Sequence, residues 1–126
     1  MRFAHTTIHT ARYQESVGFY REVAGLSVVD ELPNGMITFL SDKEGDTCIE
    51  IIRNAGPEYK GEGISVGFFH PDPESYREEL KEKGFEVTGL VRPDEKTVFF
   101  YVKDPNGLDV QFIYYRRDPA ASRRRS

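Results

Sequence analysis

The sequence has only one cysteine, Cys48, among its 126 residues. A single thiol can form neither an internal disulfide nor a zinc site built on a pair of cysteines, so both are excluded. No apolar run approaches the ~20 residues that a membrane-spanning helix needs, and the first residues lack the continuous apolar core of a signal peptide. We therefore expect a cytoplasmic protein with no membrane partner.

Negative charge exceeds positive charge outside one end of the chain. The net charge is −4, and residues 116–126 hold five arginines against one aspartate, so the rest of the chain is more acidic still. An acidic body is poorly suited to nucleic acid, because phosphate backbones are bound through Lys and Arg. We expect no nucleic-acid partner and interpret residues 116–126 as a basic, flexible tail.

The sequence does contain an internal repeat. Residues 36–52 and 98–115 each show the pattern of two strands joined by a turn, and both turns have the form Asp-x-x-Gly, at Asp42–Gly45 and Asp104–Gly107. This form suits a tight turn, since Asp bonds to its own backbone and Gly accepts positive φ. Each of these segments is preceded in the chain by a strand with alternating residues, a stretch with helical periodicity and one further strand. The order strand, helix and three strands therefore occurs twice.

These elements predict an α+β fold of two βαβββ modules. Each module is expected to be a curved, mostly antiparallel sheet with one helix packed outside, and the two to enclose a cleft. The length fits one domain. The predicted bounds are 1–115 for the domain, 1–55 for module one, 56–62 for the linker and 63–115 for module two.

The helices are predicted at residues 14–24 and 73–83, the second with Asp72 as its N-cap and Pro73 as its first residue. The first helix should bury a stripe that includes Val17. A strand is predicted at residues 85–91, directly after the second helix.

Corresponding strands of the modules carry polar side chains that could meet. His5 aligns with Ser65 and Glu50 with Gln111, provided that the first Asp-x-x-Gly turn is one residue longer than the second. If two such sheets come together, within a chain or between chains, equivalent inward positions gather at a pseudo-twofold axis. One imidazole, one carboxylate and one amide suit a divalent cation such as Zn²⁺, Ni²⁺, Co²⁺ or Mn²⁺.

Several motifs together resemble the vicinal oxygen chelate superfamily, the fold of glyoxalase I, bleomycin-resistance proteins and dioxygenases. They are the opening H-x-x-I-x-T, a helix with S-V-G-F-Y, an I-E-I strand, and a D-P-N-G turn followed by x-D-V-Q-F. The resemblance covers residues 1–115 and implies a glyoxalase I-like member that takes a small-molecule ligand. We expect a homodimer.

The metal-dependent members of that superfamily use the ligand order His, Glu or Gln, His, Glu. His5 and Glu50 match the first two positions, whereas Ser65 stands where His is expected and Gln111 where Glu is expected. The resemblance thus implies a metal held by His5, Glu50 and Gln111, in a site that is incomplete relative to the family pattern. In glyoxalase I-type chemistry a ligating carboxylate takes a proton from carbon. Because an amide cannot do so, Glu50 is the candidate catalytic base.

Other side chains on the same strand faces are candidates for substrate binding. Aromatic walls suit an apolar or ring-bearing ligand, although packing of a core gives the same pattern. The candidates for substrate binding are Ser65, His9, Phe69, Phe99 and Tyr101.

Three functional hypotheses follow. The first is metal-assisted isomerisation of a small carbonyl–thiol adduct, as in lactoylglutathione lyases. The second is metal-free sequestration of a small molecule, as in bleomycin-resistance proteins, which Ser65 and Gln111 favour. The third, a dioxygenase, needs two histidines and a carboxylate, so His9 or His70 would have to supply the missing ligand.

Overall fold

The structure is a computed structural model that describes residues 1–53 and 58–115. The predicted flexible tail, residues 116–126, lies outside the described residues. So do residues 54–57, which include the end of predicted module one and the start of the predicted linker.

The chain divides into two compact units. The first comprises Met1–Gly61 together with Asp104–Gly107, and the second comprises Glu62–Lys103 together with the chain from Leu108 onward. Each unit contains one four-stranded sheet and one helix, so the α+β class and the two βαβββ modules are confirmed.

The first unit follows the predicted order of strand, helix and three strands. Its elements are β1 (His5–Thr10), α1 (Tyr13–Glu22), β2 (Ser27–Glu31), β3 (Ile37–Ser41) and β4 (Cys48–Arg53). The strands lie in the order β1-β4-β3-β2, and β1 runs parallel to β4 while the other neighbours are antiparallel. The helix α1 packs against the central strands β3 and β4 and covers one face of the sheet.

The helix α1 packs on the sheet face that carries Thr38 and Ile51. The hydroxyl groups of Tyr13 and Thr38 are hydrogen-bonded, and Ile51, opposite Thr38 in the register, is fully buried. Burying one such side chain contributes about 1.5–3 kcal/mol to folding. The predicted helical stripe needs one correction, because Ser16 is fully buried whereas Val17 is only half-buried.

The burial of Ser16 has a polar cause in the turn at Asp104–Gly107. Asn106 Nδ2 donates a hydrogen bond to Ser16 Oγ at 3.0 Å, and Thr10 Oγ1 donates to Asn106 Oδ1 at 2.6 Å. The turn closes through Gly107, whose φ of 86° lies in the left-handed region. A buried polar network therefore holds this turn against the N-terminal half of α1.

The second unit repeats the order of the first. Its elements are β5 (Ser65–Phe69), α2 (Pro73–Glu82), β6 (Val91–Asp94), β7 (Thr97–Lys103) and β8 (Asp109–Tyr115). The strand order is β5-β8-β7-β6, with β5 parallel to β8. Neither α1 nor α2, the two helices of the described residues, is long and apolar enough to cross a membrane.

The start of α2 is as the sequence predicts. Pro73 is its first residue, and the Asp72 carboxylate accepts a hydrogen bond from the Ser75 backbone N–H at 3.2 Å. The Tyr76 ring meets Phe112 of β8 edge-on, with ring centroids 5.2 Å apart. The helix therefore covers the sheet face to which Phe112 belongs.

The strand predicted at residues 85–91 is wrong. The edge strand β6 begins only at Val91, and the earlier segment forms one isolated bridge, between Val87 and Val102. Thr88 explains the difference. The backbone N–H of Tyr101 donates a 2.8 Å hydrogen bond to the side-chain Oγ1 of Thr88, whereas a regular ladder would pair this N–H with a backbone carbonyl. The backbone carbonyl of Thr88 also accepts a 2.6 Å hydrogen bond from the Arg77 side chain.

Candidate functional site

Glu50 lies on the sheet face that α1 does not cover. In the strand registers it is opposite Thr7 on β1 and Phe39 on β3. Since successive side chains of a strand point to opposite faces, and Ile51 faces the helix, Glu50 points the other way. His5, two residues before Thr7, belongs to the same face.

Gln111 holds the corresponding position in the second unit. It is opposite Gly67 on β5 and Tyr101 on β7, and its neighbour Phe112 faces α2. Ser65 lies two residues before Gly67, as His5 lies before Thr7. The registers thus agree with the predicted alignment of His5 with Ser65 and of Glu50 with Gln111.

The lengths of the two connecting turns fit this alignment. The connection from β3 to β4 spans residues 42–47 and that from β7 to β8 spans residues 104–108. The first is one residue longer, as predicted. The extra residue keeps Glu50 and Gln111 on the equivalent faces of their sheets.

His5 and Glu50 are in direct contact. The distance from His5 Nε2 to Glu50 Oε1 is 3.3 Å, and the side chains are 44% and 12% exposed. Thr7 Oγ1 donates a 2.5 Å hydrogen bond to the same Oε1. The His5 ring also meets Phe39 edge-on, at 6.2 Å between centroids. A largely buried carboxylate thus has an imidazole and a hydroxyl as partners, which offset part of its desolvation.

Gln111 is held differently. Its Nε2 donates to the hydroxyl of Tyr101 at 3.3 Å, and its Oε1 lies close to the backbone of Gly67. A Cβ on Gly67 would be 3.0 Å from that oxygen. Ser65 is exposed.

The aromatic candidates lie on the Gln111 face of the second sheet. Phe69 is 45% exposed and packs against Tyr114 at 5.6 Å between ring centroids. Phe99 and Tyr101 meet edge-on at 5.6 Å and are half-buried. Phe99 and Tyr101 therefore leave apolar surface on the sheet face that α2 does not cover, whereas Phe69, at the end of β5, contacts Tyr114, which lies on the α2 face by alternation from Phe112.

The two remaining histidines differ in their surroundings. His9 follows Thr7 by two residues on β1, and its Nδ1 is buried without a hydrogen-bond partner in the part of the chain that the structure describes. His70 lies before α2, where its Nδ1 accepts a 2.9 Å bond from the Asp72 N–H and its ring stacks on Tyr76 at 4.5 Å. Burial lowers the pKa of His70, and the charges of Asp72 and Glu79 oppose that shift. His70 is therefore engaged at the start of a helix.

The His5–Glu50 pair fits two ligands of one divalent ion. Imidazole nitrogen and carboxylate oxygen each lie about 2.0–2.2 Å from Zn²⁺, so two such ligands at a tetrahedral angle are about 3.3–3.5 Å apart. The observed separation is 3.3 Å. Within residues 1–53 and 58–115, no three His, Cys, Asp or Glu side chains are grouped so as to hold a metal ion. A third ligand from the described residues would therefore have to be of another type.

Two residues of this arrangement were not among the sequence candidates. Thr7 contacts Glu50, and Gly67 makes room for Gln111. Alternation from His5 and Ser65 places both on the candidate faces. However, neither a strand threonine nor a strand glycine signals chemistry by type.

Known proteins resemble this chain in sequence and in fold. A lactoylglutathione lyase of Neisseria meningitidis is 27% identical to this chain in an alignment that covers 90% of this chain and 90% of that protein. A lactoylglutathione lyase from Agrobacterium tumefaciens has a TM-score of 0.65 at 20% identity, over 86% of this chain and 90% of that one. An antibiotic-binding protein from a Streptomyces species has a TM-score of 0.72 at 16% identity, over 89% and 93%.

At these identities the structural neighbours show the fold alone. The description of one names a lyase and that of the other a binding protein, so the fold does not choose between catalysis and sequestration. The family profile spans nearly all of both modules, at residues 2–112. The chain therefore belongs to the Glyoxalase/Bleomycin resistance protein/Dioxygenase superfamily.

Proposed function

We propose that the chain is a metal-assisted lyase of the glyoxalase I type that isomerises a small carbonyl–thiol adduct, with Glu50 as its base. The observation that carries this proposal is the contact of 3.3 Å between His5 Nε2 and the largely buried carboxylate of Glu50. The similarity to a lactoylglutathione lyase over 90% of the chain supports the same activity.

His5, Glu50 and Gln111 are the proposed ligands of a Zn²⁺, Ni²⁺, Co²⁺ or Mn²⁺ ion. When bound, the ion would polarise the oxygens of the adduct. Glu50 would take the proton from the carbon that bears sulfur and return it to the neighbouring carbon, so the reaction needs no oxidant and no reductant. Gln111 offers a neutral carbonyl oxygen, which can ligate but cannot accept this proton.

The aromatic and polar side chains of the same faces are proposed to contact the substrate. Phe69, Phe99 and Tyr101 offer apolar ring surface, and Ser65 and His9 offer polar atoms. We further propose that the protein is cytoplasmic and acts as a homodimer. Light scattering of the purified chain would test the dimer.

Isomerisation of the adduct of a 2-oxoaldehyde and glutathione tests the activity. We expect a rate that EDTA abolishes and that added Ni²⁺, Co²⁺ or Zn²⁺ restores. Glu50→Gln should lower kcat by about 10²–10⁴-fold, because the base is lost while the shape of the side chain is kept. Glu44→Gln, in an exposed turn of the same unit, is the matched control and should retain the wild-type rate. A Glu50→Gln protein with the wild-type rate would show that the base is another group.

A second candidate is a metal-free binding protein for an apolar or aromatic small molecule. The observation that favours it is the pair of half-buried rings, Phe99 and Tyr101, on the sheet face that α2 does not cover. In EDTA, a bound aromatic ligand should raise the melting temperature of such a protein, since any ligand of the native state stabilises it. Stabilisation that requires Ni²⁺ or Zn²⁺ would favour the lyase instead.

A further inference from the structure

The two oxygens of the Glu50 carboxylate have different surroundings. Oε1 accepts the 2.5 Å hydrogen bond from Thr7 Oγ1 and lies 3.3 Å from His5 Nε2. Within residues 1–53 and 58–115, Oε2 has no polar contact of this kind, and it is not one of the buried atoms that lack a partner. One oxygen is therefore anchored and the other is accessible.

We infer that Thr7 is a positioning residue that holds Oε1 and thereby presents Oε2 of Glu50 as the reactive oxygen. This inference rests on the proposed function of Glu50. A hydroxyl group that donates to an ionised carboxylate forms one of the shorter and stronger hydrogen bonds in proteins, at about 2.5–2.7 Å. Because χ1 of a β-branched residue is restricted, Thr7 offers its hydroxyl from a nearly fixed position.

The position of Thr7 in the register explains why it has this role. Thr7 is the direct β1 partner of Glu50, whereas His5 lies two residues earlier on β1, on the same face of the sheet. The His5 side chain is 44% exposed, so its contact with Glu50 is less constrained than a contact made inside the sheet. The threonine is therefore the better anchor of the two.

The second unit shows that the repeat does not impose this contact. Gly67 is the direct β5 partner of Gln111 and has no hydroxyl to offer. Gln111 is instead held through its Nε2 by Tyr101, on the opposite neighbouring strand, which leaves its Oε1 beside Gly67. Each unit thus fixes one end of its polar side chain, but it does so through a different neighbour.

Three variants of the full chain test this inference. Thr7→Val removes the hydroxyl at constant shape, Thr7→Ser keeps a hydroxyl, and Thr6→Val is the matched control on the other face of β1. Co²⁺ is the probe, and its affinity by equilibrium dialysis and its visible absorption spectrum are the readouts. Loss of a group that orients a metal ligand typically weakens metal binding by about 10–100-fold.

We expect Thr7→Val to lose Co²⁺ affinity by that factor and to change the absorption spectrum, while Thr7→Ser and Thr6→Val stay within about threefold of wild type. Circular dichroism of each variant verifies the fold, and Thr7→Ala replaces Thr7→Val if the latter is unfolded. A Thr7→Val protein with wild-type affinity and spectrum overturns the role of Thr7 but leaves the proposed function intact. If the wild-type protein itself binds no Co²⁺, the metal-assisted function fails and this inference fails with it.

Discussion

The hydroxyl of Tyr20 donates a 2.8 Å hydrogen bond to Oδ2 of Asp104, 84 residues later in the chain. Both residues are buried, with exposures of 0% and 5%. Burial, the charge of Asp104 and this hydrogen bond all raise the pKa of Tyr20, so the phenol stays a neutral donor. Asp42, which begins the matching turn of the first repeat, is exposed. The same turn motif therefore has a second, structural role in only one of its copies.

Removing the Tyr20 hydroxyl should destabilise the protein. In Tyr20→Phe, the buried Asp104 carboxylate loses a charge-assisted partner, which we expect to cost about 1–3 kcal/mol of unfolding free energy. Urea denaturation measures the loss. Tyr59→Phe is the control, because the Tyr59 hydroxyl donates to the Gly61 carbonyl at an exposed site and its removal should change stability by less than about 0.5 kcal/mol. Equal effects of the two changes would contradict the role assigned to the Tyr20–Asp104 bond.

Stability should fall at mildly acidic pH because of His70. Its pKa is lowered in the folded state by burial, against the opposing charges of Asp72 and Glu79, so the unfolded chain takes up the proton first. The contribution of neutral His70 is full above the unfolded pKa of about 6.5 and is lost as the pH falls through the lower folded value. Protonation also removes the acceptor for the Asp72 N–H at the start of α2.

Urea denaturation between pH 7.5 and pH 5 of wild type and His70→Gln checks this dependence. We expect the wild type to lose more stability than the variant over that range, because a glutamine does not titrate. The same loss in both proteins would assign the pH dependence to other groups.

Gly67→Ala should displace Gln111 at little cost in stability. The new Cβ would be 3.0 Å from Gln111 Oε1, and the end of a flexible side chain can move away, so we expect a change below about 0.5 kcal/mol. The bond from Gln111 Nε2 to Tyr101 should break, which the NMR signals of the Gln111 side-chain amide would report. Gly89→Ala is the control, since nothing lies within 4 Å of a Cβ there. Unchanged Gln111 signals in Gly67→Ala would contradict the close contact.

Alternation along the strands allowed the sequence to predict which residues share a face. A period of two fixes the relation of His5 to Glu50 and of Ser65 to Gln111 once the strands are paired, and the pairing follows from the repeat. The N-cap at Asp72 was equally predictable, because its stereochemistry is local.

Contacts between distant segments were not predictable in this way. Nothing local to Thr7 indicates that its hydroxyl bonds Glu50, since threonine is a common strand residue and Thr6 beside it looks the same. The late start of β6 depends on the side chain of Thr88 replacing a backbone partner, and the burial of Ser16 depends on Asn106, 90 residues away. Such contacts are decided by tertiary packing and not by periodicity.

Metal content of the purified protein, before and after one substitution, tests the central claim most directly. Full-length wild type and Glu50→Ala are stripped with chelator, exposed to excess Ni²⁺, Co²⁺ or Zn²⁺, freed of unbound ion and measured by elemental analysis. We predict about one equivalent of metal per chain in the wild type and loss of most of it in Glu50→Ala, because alanine has no ligand atom to replace the carboxylate. Less than about 0.1 equivalent in the wild type, or full occupancy in Glu50→Ala, would contradict a metal site at His5 and Glu50.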